Sequence, residues 1–396
     1  MAKLDELIQE LCPNGVEYKT LEEVIQYEQP SKYIVKSTDY DDSFQTPVLT
    51  AGQTFILGYT NETEGIYSAS KDNPVIIFDD FTTANKWVDF GFKVKSSAMK
   101  ILSSKDNKYN IRYLYHIIQT IKYIPVDHSR QWIGTYSKFK IPVPPLEVQC
   151  EIVRILDNFT ELTAELTAEL TARKKQYEYY RDELLNFDKD TQIKRVGEVI
   201  KSLKTGLNPR KNFTLNTSGS FCPYITGKDI YNNKINITPK TDLITPEAVL
   251  IINKRAQLKN NLLLFASTGT GTVGRMAIIK EYNNNWATSE TLYGIEVNTK
   301  FLTTEYLMYY LYSTKARAQF EPKISKGSVP HLKVNDLLNV NIPIPPLEEQ
   351  KRIVSILDRF DVLCNDISIG LPAEIEARQK QYEYYRDKLL TFKEVS

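Results

Sequence analysis

The sequence predicts an α+β protein made of two globular blocks in tandem, each followed by a long helical block. Three observations carry that expectation. Two strings occur twice, in the same order. "IPVPPLEVQCEIVRILDNF" (Ile141 to Phe159) returns as "IPIPPLEEQKRIVSILDRF" (Ile342 to Phe360), and "KQYEYYRDELLNF" (Lys175 to Phe187) returns as "KQYEYYRDKLLTF" (Lys380 to Phe392). The repeated stretches space their apolar residues as helices do, whereas the chain before each has short apolar runs bounded by Asp, Asn and Gly. Charge follows the same division. The chain totals only +1, but residues 193–340 hold 20 Lys and Arg against 10 Asp and Glu, while residues 17–140 hold 15 of each. The segments 141–192 and 341–396 are acidic, at 6 against 11 and 8 against 10.

At 396 residues the chain is too long for one domain. It divides into residues 1–140, a first globular domain; 141–192, a central helical spacer; 193–341, a second globular domain; and 342–396, a C-terminal helical region. No apolar run approaches the roughly 18 residues of a membrane span. The first residues, "MAKLDELIQELCPNG", are acidic and amphipathic rather than a signal peptide. Cys12, Cys150, Cys222 and Cys364 form no CxxC pair, which argues against a disulfide framework or zinc site and fits a reducing cytoplasm.

Within the globular blocks, "PVIIF" (Pro74 to Phe78), "VLII" (Val249 to Ile252) and "LLLF" (Leu262 to Phe265) read as strands. "IRYLYHIIQTI" and "TEYLMYYLYSTKA" read as one helix near the end of each block. The blocks are themselves related. "YKTLEEVI" from Tyr18 parallels "IKRVGEVI" from Ile193, and "TPVLTAG" from Thr46 parallels "CPYITGK" from Cys222.

In the central spacer, Pro142, Pro144 and Pro145 hold an extended approach to a helix, where the first N–H groups need no partner. Ile152, Ile155, Leu156, Phe159, Leu162, Leu166 and Leu170 then mark one apolar face. The unit "ELTA" is written three times between Glu161 and Ala172. One helix from Leu146 to Phe187 would be roughly 60 Å long, and its face needs a partner. The second copy, with Ile353, Ile356 and Phe360 at matching positions, is the obvious one. "IGLP" (Ile369 to Pro372) should interrupt that copy.

Catalytic motifs fail on inspection. "GTGTVG" (Gly269 to Gly274) matches the dinucleotide pattern, but a short strand follows it instead of a helix. Arg275 and Met276 stand where a phosphate-binding loop requires Lys and Ser or Thr. A tight glycine hairpin presenting Thr270, Thr272 and Arg275 fits better. His116, His128 and His331 have no metal-ligand or triad spacing, and His116 reads as a core or edge residue. The double prolines lack the flanking amide and aromatic of an adenine-methylating loop. No metal site is expected.

The remaining polar clusters suit a polyanion. The first block offers Thr82, Thr83, Asn85, Lys86 and Trp87 with Lys93, Lys95 and Lys100, then Arg130 and Gln131 in "DHSRQW". The second offers Lys254, Arg255, Gln257 and Lys259, then Thr270 and Arg275, then Lys323, Lys326 and Ser328. Arg, Lys, Asn and Gln reach base edges, and Ser, Thr and Lys hold phosphates.

The tandem layout, with "IPxPPLExQxxIVxILDxF" closing each half, resembles the specificity (S) subunit of type I restriction–modification enzymes. The ELTA units, "KQYEYYRD" and "TAGQTFILGYTNETEGIYSASK…PVIIFDDFTTANKWVDF" look most like its IC branch. The resemblance implies two target-recognition domains, each reading half of a bipartite site in double-stranded DNA. The helical regions would pack as an antiparallel coiled coil with pseudo-two-fold symmetry, spacing the domains and docking two modification (methyltransferase) subunits, with restriction subunits completing the complex. It implies no cofactor in this chain, since S-adenosylmethionine and ATP belong to partner subunits, and it implies no catalysis. The departure is the neutral first domain, whose DNA contact would rest on local charge or on help from the methyltransferase. The alternative is a coiled-coil scaffold with two protein-binding domains, against which the basic excess in 193–340 argues.

Overall fold

A strand covered on both faces can be apolar at every position, and "VIIF" (Val75 to Phe78) and "LLFA" (Leu263 to Ala266) lie in strands of that kind. The computed structural model describes residues 2–51, 54–188, 190–210, 212–366 and 368–395. Gly52 and Gln53, in the stretch beginning "TAGQTF", lie outside the described residues. The chain forms two units, residues 1–165 with 376–396, and residues 166–375. Each unit therefore joins a globular block to the first part of the helix that follows it and the last part of the other helical region.

The first unit opens with helix α1 (Ala2–Leu11), strand β1 (Glu17–Thr20), the single turn α2 (Leu21–Val24) and β2 (Ile25–Glu28). There follow β3 (Thr46–Leu49), β4 (Ile56–Thr60), β5 (Val75–Asp79), β6 (Asn85–Val88), β7 (Lys93–Val94) and β8 (Met99–Ser104). Helix α3 (Ile111–Ile118), the turn α4 (Gln131–Gly134), β9 (Lys140–Val143) and the long helix α5 (Leu146–Leu184) complete the run. The sheets have strand orders β2-β8-β5-β6, β4-β3-β7 and β1-β9. Ile76 and Phe78 of β5 face one apolar cluster, Val75 and Ile77 the other. That two-sided burial is why the run shows no polar alternation. The C-terminal strip pairs with the start of the block, Val16 N–H donating to Lys393 O at 2.8 Å.

The second unit repeats this order. It contains β10 (Ile193–Arg195), the turn α6 (Val196–Val199), β11 (Ile200–Thr205), β12 (Cys222–Ile225), the hairpin β13 (Ile230–Tyr231) and β14 (Lys234–Ile235), and β15 (Asp242–Ile244). Helix α7 (Pro246–Ala256), β16 (Leu263–Ala266), β17 (Met276–Ile278), β18 (Ala287–Thr288) and β19 (Leu292–Val297) come next. Helices α8 (Thr304–Tyr312), α9 (Thr314–Phe320) and α10 (Val334–Leu338), then β20 (Asn341–Pro343), lead to α11 (Leu347–Asn365) and α12 (Leu371–Leu389). The orders β11-β19-β16-β17, β15-β12-β18 and β10-β20 match the first unit strand for strand. Hairpin β13-β14 and helix α7 are additions that the first unit lacks among its described residues. The strand β16 again splits its faces, Leu263 and Phe265 to one cluster, Leu264 and Ala266 to the other.

Two expectations need correction. "VLII" is helical, because Thr245 caps α7 by accepting from the Ala248 N–H and Pro246 stands at the first helical position. Val249, Ile252 and Ala256 then bury one helical face. The stretch "TEYLMYYLYSTKA" is two helices, since Ser313 is extended and its side chain caps α9.

The helical blocks follow the sequence closely. α5 is a continuous helix of 39 residues. Its counterpart breaks between Asn365 and Leu371, around "IGLP". Within the second unit Tyr180 stacks on Phe360 (5.9 Å), Tyr177 lies beside it, and Arg173 and Lys174 approach Cys364, so α5 and α11 run antiparallel there. Within the first unit the same pair recurs with roles exchanged, Phe159 stacking on Tyr385 at 5.3 Å. Phe159 and Phe360 are thus on the helix–helix seam. Ile152 and Ile353 are wholly buried in the clusters of their own blocks and anchor each helix to its domain. Ile155 packs against the first cluster, and Ile356, Leu162, Leu166 and Leu170 are half-buried.

Candidate nucleic-acid interface

Several of the polar residues singled out in the sequence lie on or beside two loops in each unit, and the loops are tied together. In the first unit one loop joins β5 to β6. Asp79, buried at its base, accepts from the N–H groups of Phe81 and Thr82 (2.9 and 3.2 Å) and from Thr82 Oγ1 (2.5 Å). Thr83 takes φ 62°, a left-handed conformation that costs a β-branched residue energy and turns its side chain inward. Thr82 and Lys86 are exposed, and Asn85 is half-buried.

The second loop runs from α3 to α4. Asp80 bonds the two together: its carbonyl accepts from Gln131 N–H (2.8 Å) and its Oδ1 from Trp132 N–H (2.9 Å). Arg130 precedes that junction and is exposed. Gln131 is not available as a reader. It is 3% exposed, and its amide donates to Ser129 O while Tyr123 Oη donates to its Oε1.

Lys93 and Lys100 also leave the polyanion surface, both being buried. Lys93 Nζ lies 3.0 Å from Glu62 Oε2, whose carboxyl is held down to about 2 by the Ser37 N–H, Lys93 and the Lys36 N–H. Lys100 Nζ lies 3.4 Å from Asp80 Oδ2 and donates to Gln29 Oε1. Each ammonium is buried and committed to a carboxylate, and cannot reach DNA.

In the second unit the β16–β17 loop occupies the position of the β5–β6 loop, and it is the glycine turn expected for "GTGTVG". Gly269, Gly271 and Gly274 have φ of 125°, 69° and 86°, which only glycine adopts without strain. The segment after α9 binds to it. Gly269 N–H donates to Pro330 O (3.0 Å), Leu332 N–H to Ser267 O (2.8 Å), and Thr268 Oγ1 pairs with His331 Nδ1 (2.7 Å). Thr270, Lys326 and Ser328 are therefore exposed on adjoining loops.

Arg255 joins them from α7. One guanidinium nitrogen donates to Thr205 Oγ1 (3.3 Å), and the register sets Thr205 opposite Tyr293 and Ala266 opposite Leu292, at the end of the sheet from which the glycine loop leaves. Lys254 is exposed beside it. Arg275 is placed apart. It donates to Ile230 O (3.2 Å) and lines a cleft of about 260 Å³ with Tyr177, Arg181 and Asp361. Lys259 pairs with Glu296 at 2.7 Å.

Sequence reasoning missed Asp80, whose only signal was the acid pair in "FDDF". It also missed the aliphatic tip of "IPVDHSR", where apolar residues stand in a polar loop. Among the described residues no group of three or more His, Cys, Asp or Glu could hold a metal ion, and no helix is long and apolar enough to cross a membrane.

Similarity to known proteins extends along almost the whole chain. The family described as the type I restriction modification DNA specificity domain matches twice, over residues 13–173 and 188–377. The chain is 46% identical over 389 residues to the type I restriction enzyme EcoR124I/EcoR124II specificity subunit of Escherichia coli, with 95% of this chain and 94% of that one covered. It is 34% identical over 404 residues to a putative type I restriction enzyme specificity subunit of Haemophilus influenzae, covering 95% and 96%. Among solved structures, a type I restriction–modification S subunit from M. genitalium matches with a TM-score of 0.57 over 95% of this chain and 96% of that one, at 12% identity. At that identity the likeness bears on the fold alone.

Proposed function

The chain belongs to the type I restriction modification DNA specificity family, and on that premise we propose that it reads a bipartite DNA site with one pair of loops from each unit. A specificity subunit supplies DNA recognition to a restriction–modification complex and is not itself the catalyst.

The observation that carries the reading is the equivalence of the loop pairs. Both leave the same end of the same four-stranded sheet, and both are bonded to the segment that follows the C-terminal helix of the block. Thr82 and Arg130 serve the first half-site from the loops, with Asn85 and Lys86 at the start of β6. Thr270, Lys326, Lys254 and Arg255 serve the second. Lys and Thr hold phosphates and fix the register, while Arg reads guanine edges in the major groove. The exposed cations Lys86, Lys122 and Arg130 give the neutral first block its local positive charge.

The helices set the distance between half-sites and hold two modification subunits, in keeping with the IC branch. S-adenosylmethionine and ATP bind to the partner subunits, restriction subunits complete the assembly, and the complex works in the cytoplasm.

Salt titration of DNA binding by the complex with its methyltransferase tests the loops. Removing one phosphate-binding Lys, as in Lys326→Ala, lowers the salt slope by about one and weakens all sequences alike. Arg255→Ala relaxes one position of the second half-site, at a cost of roughly 1–3 kcal/mol. Unchanged binding and an unchanged methylation map in Lys326→Ala, Arg255→Ala, Lys86→Ala and Arg130→Ala together would remove the loops from the DNA.

A further inference from the structure

The loop between α3 and α4, residues 119–130, carries two aliphatic side chains with no packing role. Ile124 is 86% exposed and Val126 96%. Neither belongs to an apolar cluster of its unit. Burying such a side chain is favourable, so holding both in water on an anchored loop forgoes that gain in the isolated chain.

The loop is anchored at both ends. Tyr123 packs on Tyr136 and Phe139 and donates to Gln131 Oε1 at 2.7 Å. Asp127 Oδ1 accepts from Ser129 N–H (3.0 Å) and Ser129 Oγ (2.5 Å), and Gln131 and Trp132 are bonded to Asp80. Between these anchors, Pro125 restricts its own backbone and that of Ile124. The tip is a fixed projection rather than a free strand of chain.

Cations flank the tip, and the Asp127 carboxylate next to Val126 is taken up by Ser129 and Gln131. Lys122 and Arg130 flank the tip in sequence, and the Asp80 junction brings the β5–β6 loop, with exposed Thr82, beside it. The second unit repeats the combination, with Val329 55% exposed next to Pro330 and three residues from exposed Lys326. An aliphatic tip between cations fits an apolar group set among phosphates. The major groove offers one such group, the 5-methyl of thymine. Wedging apolar side chains between base steps is a device of minor-groove binders, whereas the 5-methyl of thymine lies in the major groove.

We propose that Val126, with Ile124 beside it, contacts a thymine 5-methyl group in the half-site read by the first unit and determines specificity at that base pair. The inference rests on the reading of the loop pair as the DNA-facing surface.

The test uses the complex with its methyltransferase and duplexes in which each thymine of the first half-site is replaced in turn by deoxyuridine. The parent complex loses about fourfold in affinity at one position, the value of one buried methyl group. Val126→Ala loses a similar factor on thymine DNA and becomes indifferent to deoxyuridine at that position. As Val126 is almost fully exposed, the variant keeps its fold.

A first half-site without thymine overturns the inference, as does a Val126→Ala complex that still discriminates deoxyuridine as the parent does. A loss that is uniform across all DNA, or weaker assembly with the methyltransferase in the absence of DNA, also overturns it, the latter by making the tip a protein contact. Lys86→Ala and Arg130→Ala separate the two readings. If they change the salt slope while Val126→Ala is silent, only this inference falls. If all three are silent, the DNA-facing loop pair falls with it.

Discussion

His116 Nε2 stands 3.0 Å from Asp157 Oδ1, and Tyr382 Oη stands 3.0 Å from the other ring nitrogen. The ring is wholly buried, and that burial pushes its pKa down from the ordinary 6.5, against the pull of Asp157 and with help from Arg112 and Arg386. Burial would raise Asp157, but the bonds from His116 and Arg112 outweigh it and hold the carboxyl below its usual value. Neutral His116 therefore donates from Nε2 to the carboxylate and accepts at Nδ1 from the tyrosine. In the second unit Tyr309 takes the place of His116 and donates to Asp358 Oδ1 at 2.5 Å.

The pH dependence follows. A histidine depressed by folding binds its proton more readily in the unfolded chain, so its contribution is complete above about pH 6.5 and is lost as pH falls below it. Asp157 acts in the same sense at lower pH, since its pKa is lowered from 3.8. Tyr309, pushed up by burial, has no titration in this range. Hydrogen exchange at about pH 7 and about pH 5 should show α3 amides losing protection on acidification, with α8 amides changing less. Equal losses in the two helices would refute the assignment.

Gln149 and Gln350 make one joint twice. Gln149 Nε2 donates to Pro144 O (2.8 Å) and Lys108 O (3.2 Å), and its Oε1 accepts from Asn110 N–H (2.8 Å). Gln350 does the same with Pro345 O, Phe301 O and Thr303 N–H. Asn110 and Thr303 cap α3 and α8, so each glutamine ties the long helix to the cap of its block. Substitution by Ala leaves buried backbone groups unpaired, at about 1–3 kcal/mol for each. Calorimetry should show Gln149→Ala lowering the transition of the first unit and Gln350→Ala that of the second. A neutral substitution at either position would mean that water satisfies the freed groups.

These glutamines explain what was legible in the sequence. "PPLExQ" and "KQYEYYRD" persist in both halves because the same latch and the same Phe–Tyr stack are built twice, so the duplication and the helices could be read directly. The strand β5 was legible from its apolar run. Val249–Ile252 was not, because a four-residue apolar run fits a strand or a buried helix equally well and the cap at Thr245 decides. Buried Lys93 and Lys100 were hidden because their partners, Glu62 and Asp80, lie far away in sequence. The loop pairs were hidden for the same reason, as Asp80 and Trp132 meet only in the fold.

Tyr179 and Tyr384 are each 62% exposed and sit in identical surroundings, beside Lys175 and Glu178 or Lys380 and Glu383. Solvated positions elsewhere in the helices differ between halves, as at Arg154 and Ser355. Identity without burial suits two copies of one partner, which the proposed function supplies as the methyltransferase. Tyrosine anchors at interfaces commonly cost about 2 kcal/mol or more on truncation. Tyr179→Ala and Tyr384→Ala should each weaken one methyltransferase site, leaving a one-subunit complex in analytical ultracentrifugation. Full assembly by the double variant would exclude these tyrosines as anchors.

A fragment of residues 1–192 lacks the C-terminal helix that the first unit uses. In the whole chain Tyr385 stacks on Phe159, and Leu389 and Leu390 fill the cluster of that unit. The fragment carries the same residues at Tyr180, Leu184 and Leu185, so a second copy can supply them. It should dimerise through 146–187 and, with methyltransferase, mark an inverted-repeat site. A strictly monomeric fragment, with and without methyltransferase, would count heavily against the shared-helix arrangement.

The ELTA units lie where the chain passes from one unit to the other, at 165/166. Each adds four residues, about 400° of helix and therefore a turn of about 40°, with a rise of about 6 Å. Leu162, Leu166 and Leu170 stay half-buried along this drift, within an apolar face of about 100°. The threonines bond inside the helix, Thr163 Oγ1 donating to Phe159 O (2.8 Å) and Thr171 Oγ1 to Thr167 O (2.9 Å). An inserted unit thus brings its own leucine and satisfies its own hydroxyl, so a fourth copy leaves a sound helix. One base pair of duplex turns about 34–36° and rises about 3.4 Å. The rotation of one unit nearly matches one base pair, while the rise exceeds it unless the helix is inclined or the DNA yields. A fourth ELTA should therefore leave both half-sites unchanged and lengthen the unspecified spacer by about one base pair, two at most. Methylation mapping of the three- and four-copy forms reads this directly. An unchanged spacer, or a changed half-site, would mean that the repeat does not set the distance between the reading domains.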